Sequence, residues 1–341
     1  MKAQDSERKP IIGITIGDIN GIGPEIIIKT LSDNRLLSYF TPVIYGSSKI
    51  LSYYKNVVGI NDFNYSQVKN GIQSQRINIY NCWHETIDIK SGESNSDGGK
   101  YAQISLSKAV EDLKSGNLNA LVTSPINKHN IQSEKFKFSG HTEYLASVFD
   151  TKDYLMLMVS GDLKIALVTG HVPLNQVSQI ITKSEILKKI RVFENSLKQD
   201  FGILKPKIAV LGLNPHAGDE GILGEEEQKE ILPAIEELKK KGKLIFGPHS
   251  ADGFFGSGSY KKFDGILAMY HDQGLIPFKS LSFGSGVNYT AGLPIVRTSP
   301  DHGTGYSIAG RNKANPDSFR KSIFLAIDIL KQRSESASET E

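Results

Sequence analysis

Residues 11–25 of this chain read IIGITIGDINGIGPE. The β-branched run at residues 11–16 predicts a short buried strand, and the glycines after it predict a tight turn. Pro24 suits the first residue of a helix, because its missing N–H has no partner there in any case. The stretch therefore predicts a strand, a turn and a helix in direct succession, which is the repeating unit of an α/β fold.

The same order recurs along the rest of the chain. Short apolar runs alternate with longer stretches whose apolar residues have helical spacing. This alternation predicts an α/β fold with mostly parallel sheets. The predicted strands lie at residues 41–45, 120–123, 165–168, 208–213 and 265–269, and the predicted helices at 101–113, 184–197, 225–240 and 316–331.

Composition excludes several classes of protein. At 341 residues the chain is long for a single hydrophobic core, so two domains are expected. The net charge of +3 is too small to indicate a nucleic-acid partner, and no apolar run is long enough to span a membrane. Cys82 is the single cysteine, which excludes an internal disulfide and fits a reducing compartment. We expect a cytoplasmic protein.

Three histidines follow three predicted strands. His171, His216 and His271 each lie in a turn marked by glycine or proline. The carboxyl ends of parallel strands meet at one edge of a sheet, so these imidazoles could converge on a divalent metal that keeps an open position for substrate. Each histidine taken alone could instead cap its turn or bind its own backbone. The recurrence of one setting favours the shared metal site.

Other polar residues have the chemistry of an anion site or of a proton acceptor. Residues 139–143, SGHTE, begin a predicted helix whose N-terminus could bind an anion or simply be capped. Lys279 and Arg297 could hold a phosphate or carboxylate, or form surface ion pairs. Asp252 and Asp272 could accept a proton, bind metal or orient an imidazole.

The turn at residues 17–25 is not a dinucleotide fingerprint, because it lacks the Gly-x-Gly-x-x-Gly pattern. Two explanations of Gly21 and Gly23 are equally good: the geometry of a tight turn, or close contact with a ligand. The segment at residues 17–25 resembles the GDGIGPE opening of isocitrate and isopropylmalate dehydrogenases, with two residues inserted. HGTGYSIAG at residues 302–310, followed by ANP at 314–316, resembles their cofactor loop.

Within that superfamily the chain most resembles the 4-hydroxythreonine-4-phosphate dehydrogenase family. The matching segments follow in order over nearly the whole chain, and together they are highly specific. They are SPINK at 124–128, GHTE at 140–143, TGHVPL at 169–174, GLNPHAG at 212–218, YHDQG at 270–274 and NYTAGLP at 288–294, continuing to Arg297.

The resemblance implies an isopropylmalate-dehydrogenase-like fold, with two α/β domains and an active-site cleft between them. Residues 1–132 and 296–332 would form the first domain, with the cofactor loop. Residues 133–295 would form the second, with the metal and the dimer interface. The Ser- and Glu-rich tail at residues 333–341 is expected to be disordered.

The resemblance also implies the activity, which is the NAD- or NADP-dependent oxidation of 4-phosphooxy-L-threonine assisted by one divalent ion (Zn, Mg or Co). The product, a β-keto acid, would decarboxylate to 3-amino-2-oxopropyl phosphate in pyridoxal phosphate biosynthesis. His171 and His216 would hold the metal with His271 of the partner subunit, so a homodimer is expected. The residues implied to bind substrate are His141, Thr142, Lys279, Asn288 and Arg297, and those implied to bind the cofactor are His302 and Asn315.

Three departures leave the substrate open. Ser139 replaces a more usual proline, residues 18–20 read DIN rather than DPA, and residues 249–252 read HSAD rather than LPAD. Relatives that oxidise 4-phosphorylated threonate or erythronate are therefore the alternative. A zinc hydrolase, or a binding protein without catalysis, is a further reading, and the intact segment at residues 302–316 argues against both.

Overall fold

The structure is a computed structural model that describes residues 9–69, 71–134 and 136–338 of the chain. Its strands, named in chain order, follow the predicted runs closely. They are β1 (Ile11–Thr15), β2 (Thr41–Gly46), β3 (Ser66–Gln67), β4 (Asn78–Asn81), β5 (Ala120–Thr123), β6 (Leu155–Ser160), β7 (Leu163–Leu167), β8 (Ile208–Leu211), β9 (Ile245–His249), β10 (Gly265–Ala268), β11 (Val287–Ala291) and β12 (Val296–Pro300).

The helices alternate with these strands. They are α1 (Gly23–Leu31), α2 (Ser48–Val58), α3 (Ser96–Lys114), α4 (His141–Val148), α5 (Leu174–Ile180), α6 (Lys183–Gln199), α7 (Leu232–Lys240), α8 (Ala251–Gly256), α9 (His271–Ser282) and α10 (Asp317–Ser338). None of the helices in the described residues is both long and apolar enough to cross a lipid bilayer.

The chain forms two compact units. The first unit comprises the residues up to Tyr144 together with Ile295–Leu330, and the second comprises Leu145–Pro294 with the residues from Lys331 onward. The boundary near Tyr144 lies later than the predicted one after residue 132. Tyr144 explains the difference, because its ring contacts Phe136 (ring centroids 5.2 Å apart) and Phe138 (5.4 Å). His141 and Thr142 thus belong to the first unit.

The first unit contains a parallel sheet with the strand order β3-β4-β2-β1-β5-β12. β1 lies near its middle, between β2 and β5, and every residue from Ile12 to Thr15 is buried. This burial on both faces is typical of parallel strands covered by helices. The prediction made from residues 11–25 is therefore confirmed by β1 and α1.

The second unit contains a mixed sheet with the order β11-β6-β7-β10-β8-β9. β11 and β7 both pair antiparallel with β6, whereas β7, β10, β8 and β9 run parallel. The ends of β7, β8 and β10 lead into the segments that carry His171, His216 and His271. An α/β fold with mostly parallel strands, as predicted, is confirmed.

The last helix is longer than predicted. α10 continues to Ser338, so residues 333–338, which were expected to be disordered, are helical. Arg333 explains the difference, because its Nε donates to Asp200 Oδ1 at 2.7 Å and its Nη2 to the hydroxyl of Tyr289 at 3.0 Å. These bonds hold the end of the helix in place within the second unit. Residues 339–341 of the predicted tail lie outside the described residues.

Candidate active site

The first unit holds a buried arginine near the start of its last strand, β12. Arg297 lies on β12, opposite Leu121 of β5, and is only 3% exposed. Its Nε and Nη2 donate to the hydroxyl of Thr123 at 3.0 and 2.7 Å. Burial lowers its pKa to about 10, while the carboxylate of Glu143 acts in the opposite direction. The guanidinium therefore stays charged at neutral pH, although it is almost completely removed from water.

His141 and Thr142 begin α4 in the same unit. The Nε2 atom of His141 is buried and has no hydrogen-bond partner among the described residues. Burial lowers the pKa of His141 well below its ordinary value, and the positive charges of Arg297 and Lys128 lower it further. A neutral imidazole with a buried, unsatisfied nitrogen is costly unless a ligand completes it. This start of α4 therefore has the chemistry of an anion site.

The second unit brings two of the three candidate metal ligands together. The rings of His171 and His271 lie 5.4 Å apart between centroids. The Nδ1 atom of His271 lies 2.8 Å from Oδ1 of Asp272. A proton on Nδ1 in this contact leaves the lone pair of Nε2 available to a ligand, which is the usual arrangement around a metal-binding histidine. Asp272 is thus placed to orient His271.

His216 lies in a segment with an unusual backbone. Residues 216–220 all have positive φ angles, at 52°, 53°, 83°, 43° and 56° in order. Four of the five are not glycine, so this left-handed turn carries strain. Glu227, which is 3% exposed, holds its start, because its Oε1 accepts from the backbone N–H of both Leu213 and Asn214 at 2.7 Å. The turn leaves His216 exposed on the surface.

Asp252 lies at the start of α8. The hydrogen bond from Ser250 Oγ to Asp252 Oδ1, at 2.5 Å, is the largest cause of its lowered pKa, and the nearby His216 acts in the same direction. A carboxylate with a lowered pKa is a weaker proton acceptor. The surroundings of Asp252 therefore suit a group that orients or polarises a neighbour better than a general base.

The donors suit a divalent metal in their chemistry, but one chain alone does not complete the site. Among the described residues, no three His, Cys, Asp or Glu side chains converge closely enough to hold a metal ion. His171 and His271 form one group, and His216 with Asp252 forms another.

Two further predicted substrate residues belong to the second unit. Lys279 lies on α9, two turns after His271, and its side chain is exposed. Asn288 lies on β11, opposite Met158 of β6. Its Oδ1 atom is buried and lacks a hydrogen-bond partner in the described part of the chain. The amide oxygen of Asn288 is thus poised to accept a hydrogen bond from a ligand.

The predicted cofactor loop, residues 302–316, has no regular strand or α-helix. His302 contacts the backbone of the next residue, with its Nδ1 3.1 Å from the carbonyl oxygen of Gly303. Asn315 is exposed, and its Oδ1 accepts from the N–H of Asp317 at 2.9 Å, at the start of α10. Both residues therefore make local backbone contacts within this loop and at the start of α10.

Residues 17–25 hold this loop in place, which the sequence did not indicate. The hydroxyl of Tyr306 donates to Asp18 at 2.7 Å, and the buried Glu25 accepts from the N–H of Gly310 at 2.5 Å. A Cβ atom on Gly21 would lie 2.7 Å from the carbonyl oxygen of Thr304, which explains the glycine. Gly21 therefore serves the close contact between two loops.

A family model described as pyridoxal phosphate biosynthetic protein PdxA matches residues 38–326 of the chain. The chain belongs to this family. The resemblance found in the sequence is thereby confirmed. Among PdxA relatives, a 4-hydroxythreonine-4-phosphate dehydrogenase of Bacteroides thetaiotaomicron is 49% identical over 330 residues, covering 96% of this chain and 90% of that protein.

A second PdxA relative is named for a different substrate. It is a putative D-threonate 4-phosphate dehydrogenase of Oceanobacillus iheyensis, 38% identical over 327 residues, which cover 94% of this chain and 98% of that protein. The crystal structure of a 4-hydroxythreonine-4-phosphate dehydrogenase from Klebsiella pneumoniae matches with a TM-score of 0.79 at 34% identity. That match covers 95% of this chain and 99% of the other.

Proposed function

We propose that this PdxA protein oxidises the secondary hydroxyl of 4-phosphooxy-L-threonine, with NAD or NADP as hydride acceptor. The carbon gives up a hydride, the hydroxyl gives up a proton, and the resulting β-keto acid loses CO₂ to leave 3-amino-2-oxopropyl phosphate. The observation that carries the proposal is the group formed by Arg297 and His141, a buried charge beside an unsatisfied imidazole nitrogen. Such a group suits a phosphorylated, carboxylated substrate.

In this proposal each side chain has a defined role. The residues proposed to bind anionic or hydroxyl groups of the substrate are His141, Thr142, Lys279, Asn288 and Arg297. The exposed side chain of Lys279 and the buried oxygen of Asn288 support these roles. His302 and Asn315 would lie along the adenosine of the cofactor.

A divalent ion would be held by His171 and His216 with His271 of the partner subunit. When bound, such an ion supplies Lewis acidity that lowers the pKa of the substrate hydroxyl. Asp272 would orient the imidazole of His271. We propose Asp252 or Asp272 as the group that takes the hydroxyl proton.

A homodimer is part of the proposal. Large apolar side chains lie exposed within six residues of each histidine, namely Leu174 (74% exposed), Ile222 (78%) and Ile276 (64%). Phe283, just after α9, is 89% exposed. Apolar exposure of this kind is typical of a surface that another protein covers. A second copy of this chain would cover it and supply the missing imidazole.

Oxidation of 4-phospho-D-threonate is the second candidate, with 4-phospho-D-erythronate as a related one. The relative from Oceanobacillus iheyensis supports it, because that protein is named a putative D-threonate 4-phosphate dehydrogenase. These substrates carry a hydroxyl where 4-phosphooxy-L-threonine carries an amine. Discrimination would therefore depend on a group near C2 of the substrate.

The test is NADH or NADPH formation by the purified protein with each of the three phosphorylated compounds. The proposal predicts the highest kcat/KM with 4-phosphooxy-L-threonine, and that Arg297→Ala loses at least about 10-fold in kcat/KM, because a charged hydrogen bond is removed. A higher kcat/KM with the threonate or erythronate would favour the second candidate. Absence of turnover with all three would contradict both.

A further inference from the structure

One lysine near the Arg297 group has no role in the function proposed above. Lys128 follows β5 in the segment SPINK, residues 124–128. The neighbouring Asn127 fixes this segment, because its Oδ1 accepts from the N–H of His129 at 2.8 Å and its Nδ2 donates to Ser94 Oγ at 3.0 Å. The carbonyl oxygen of Lys128 also accepts from Gln132 Nε2 at 3.0 Å. The backbone of Lys128 is therefore held on both sides.

The side chain of Lys128 extends towards the start of α4. A Cβ atom built on Gly140 would lie 3.7 Å from Cε of Lys128 and 3.4 Å from Oε2 of Glu143. Both side chains thus end over Gly140, directly before His141. Packing around the ammonium lowers the pKa of Lys128, while Glu143 acts to raise it. Lys128 as a whole remains exposed, so a ligand can reach it.

The charges of the side chains around Gly140 favour the binding of an anion. Arg297 and Lys128 are cationic, Glu143 is anionic, and the positive charges of the first two help to keep His141 neutral. The group therefore has one positive charge in excess beside the N-terminus of an eight-residue helix. The buried Nε2 of His141, which lacks a partner among the described residues, is a second sign of a ligand there.

We propose that Lys128 is a further substrate-binding residue, whose ammonium pairs with an anionic group of the substrate at the start of α4. This inference rests on the function proposed above. The anionic group is the phosphate or the carboxylate of the substrate, since an ammonium recognises either as a point charge. The carboxylate of Glu143 lies near the same point and its charge attracts the ammonium.

The test compares Lys128→Met and Lys128→Arg with wild type. Lys137→Met, at an exposed lysine of the same region, is the matched control. Calorimetry measures the affinity for inorganic phosphate and for acetate, and steady-state kinetics give KM for the phosphorylated substrate, KM for NAD and kcat. Circular dichroism and the unfolding midpoint check that each variant is folded.

We expect Lys128→Met to raise substrate KM by about 10-fold or more, the loss typical of one charged hydrogen bond, with KM for NAD unchanged. The arginine variant should retain most of the affinity. Weaker binding of phosphate identifies that group as the partner, and weaker binding of acetate identifies the carboxylate. A substrate KM and anion affinities of Lys128→Met that lie within twofold of those of Lys137→Met would overturn the proposal.

Failure of the proposed function gives a different result. If wild type oxidises none of the phosphorylated compounds but Lys128→Met still loses phosphate or acetate affinity, the function is wrong and the anion site of Lys128 stands. If wild type oxidises the substrate but binds neither phosphate nor acetate measurably, the proposal is judged by the substrate KM of Lys128→Met against that of Lys137→Met. If wild type neither turns over nor binds either probe, the proposal for Lys128 is overturned as well.

Discussion

The imidazole rings of His171 and His271 are neighbours within one chain, 5.4 Å apart between centroids and tilted by 42°. His216 lies instead in the strained turn after β8, near Asp252. Two arrangements of a metal site follow from this. Either the three histidines of one chain close around the ion, or His271 of the partner subunit joins His171 and His216. The function proposed above includes the second arrangement.

Hybrid dimers distinguish these arrangements. We expect His216→Ala and His271→Ala homodimers to be inactive, because each lacks a ligand in both sites. A heterodimer of the two variants has one complete site if ligands are shared, and should show about half the wild-type activity. It has none if each chain builds its own site. Differently tagged subunits, co-purified and assayed for NADH formation, give the measurement, and inactive heterodimers would contradict the shared site.

Asp272 should control metal affinity through His271. Asp272→Asn keeps the shape of the side chain but removes the charge that orients the imidazole, so we expect metal affinity to fall by about 10–100-fold. Titration of the metal-free protein by calorimetry measures this directly. Asp162→Asn, at an exposed turn of the same unit, is the control. Equal metal affinities of Asp272→Asn and Asp162→Asn would show that Asp272 does not support the metal site.

His141 should make stability depend on pH. Its pKa is well below 6.5 in the folded protein, because of burial first and of Arg297 and Lys128 next. Below about pH 6.5 the unfolded chain binds a proton that the folded protein does not, so stability falls as the pH falls, by at most about 1.4 kcal/mol per pH unit from this group. Above that pH both states hold His141 neutral, so this group causes no loss of unfolding free energy.

Denaturant unfolding of wild type and His141→Gln at several pH values between about 7.5 and 5 isolates this effect. The difference in unfolding free energy should shift steadily in favour of the variant as the pH falls. A difference that stays constant with pH would mean that His141 titrates equally in both states.

Arg333 should stabilise the second unit. Its partner Asp200 has a side chain only 3% exposed, and it also accepts from Ser196 Oγ at 2.6 Å and Tyr289 Oη at 2.7 Å. Loss of the arginine leaves a buried carboxylate with two neutral donors, so we expect Arg333→Met to lower the unfolding free energy by roughly 2–3 kcal/mol.

Two truncated chains, one without Arg333 and one with it, test the contribution of this residue to stability in a second way. A chain ending at Gln332 should be destabilised like Arg333→Met, whereas one ending at Ser334 should resemble wild type. Thermal unfolding measures both, and equal melting temperatures of the two truncated chains would show that the arginine contributes nothing.

The fold was largely predictable from local pattern. Strands such as β1 are buried on both faces and therefore read as continuous apolar runs, and α1 carries its proline at the expected position. The end of α10 was not predictable, because Ser- and Glu-rich composition indicates disorder unless a tertiary contact intervenes. Here the contact is the bond from Arg333 to Asp200, which lies 133 residues away in sequence.

The candidate site was predictable in its residue types but not in its geometry. The sequence gives no distance between His171 and His271, and it does not reveal the left-handed turn that carries His216. Glu227, Asp18 and Tyr306 were missed because they act on the backbone or on another loop. A buried glutamate such as Glu227 could have drawn attention only once its burial was known.

The central claim is that three imidazoles hold one divalent ion without which the alcohol is not oxidised. The most direct measurement is NADH formation by wild type and His216→Ala with 4-phosphooxy-L-threonine, alongside elemental analysis of bound metal. The account predicts that chelation abolishes wild-type turnover, that added Zn, Mg or Co restores it, and that His216→Ala binds no metal and is inactive while still folded. Full turnover by metal-free His216→Ala would contradict it.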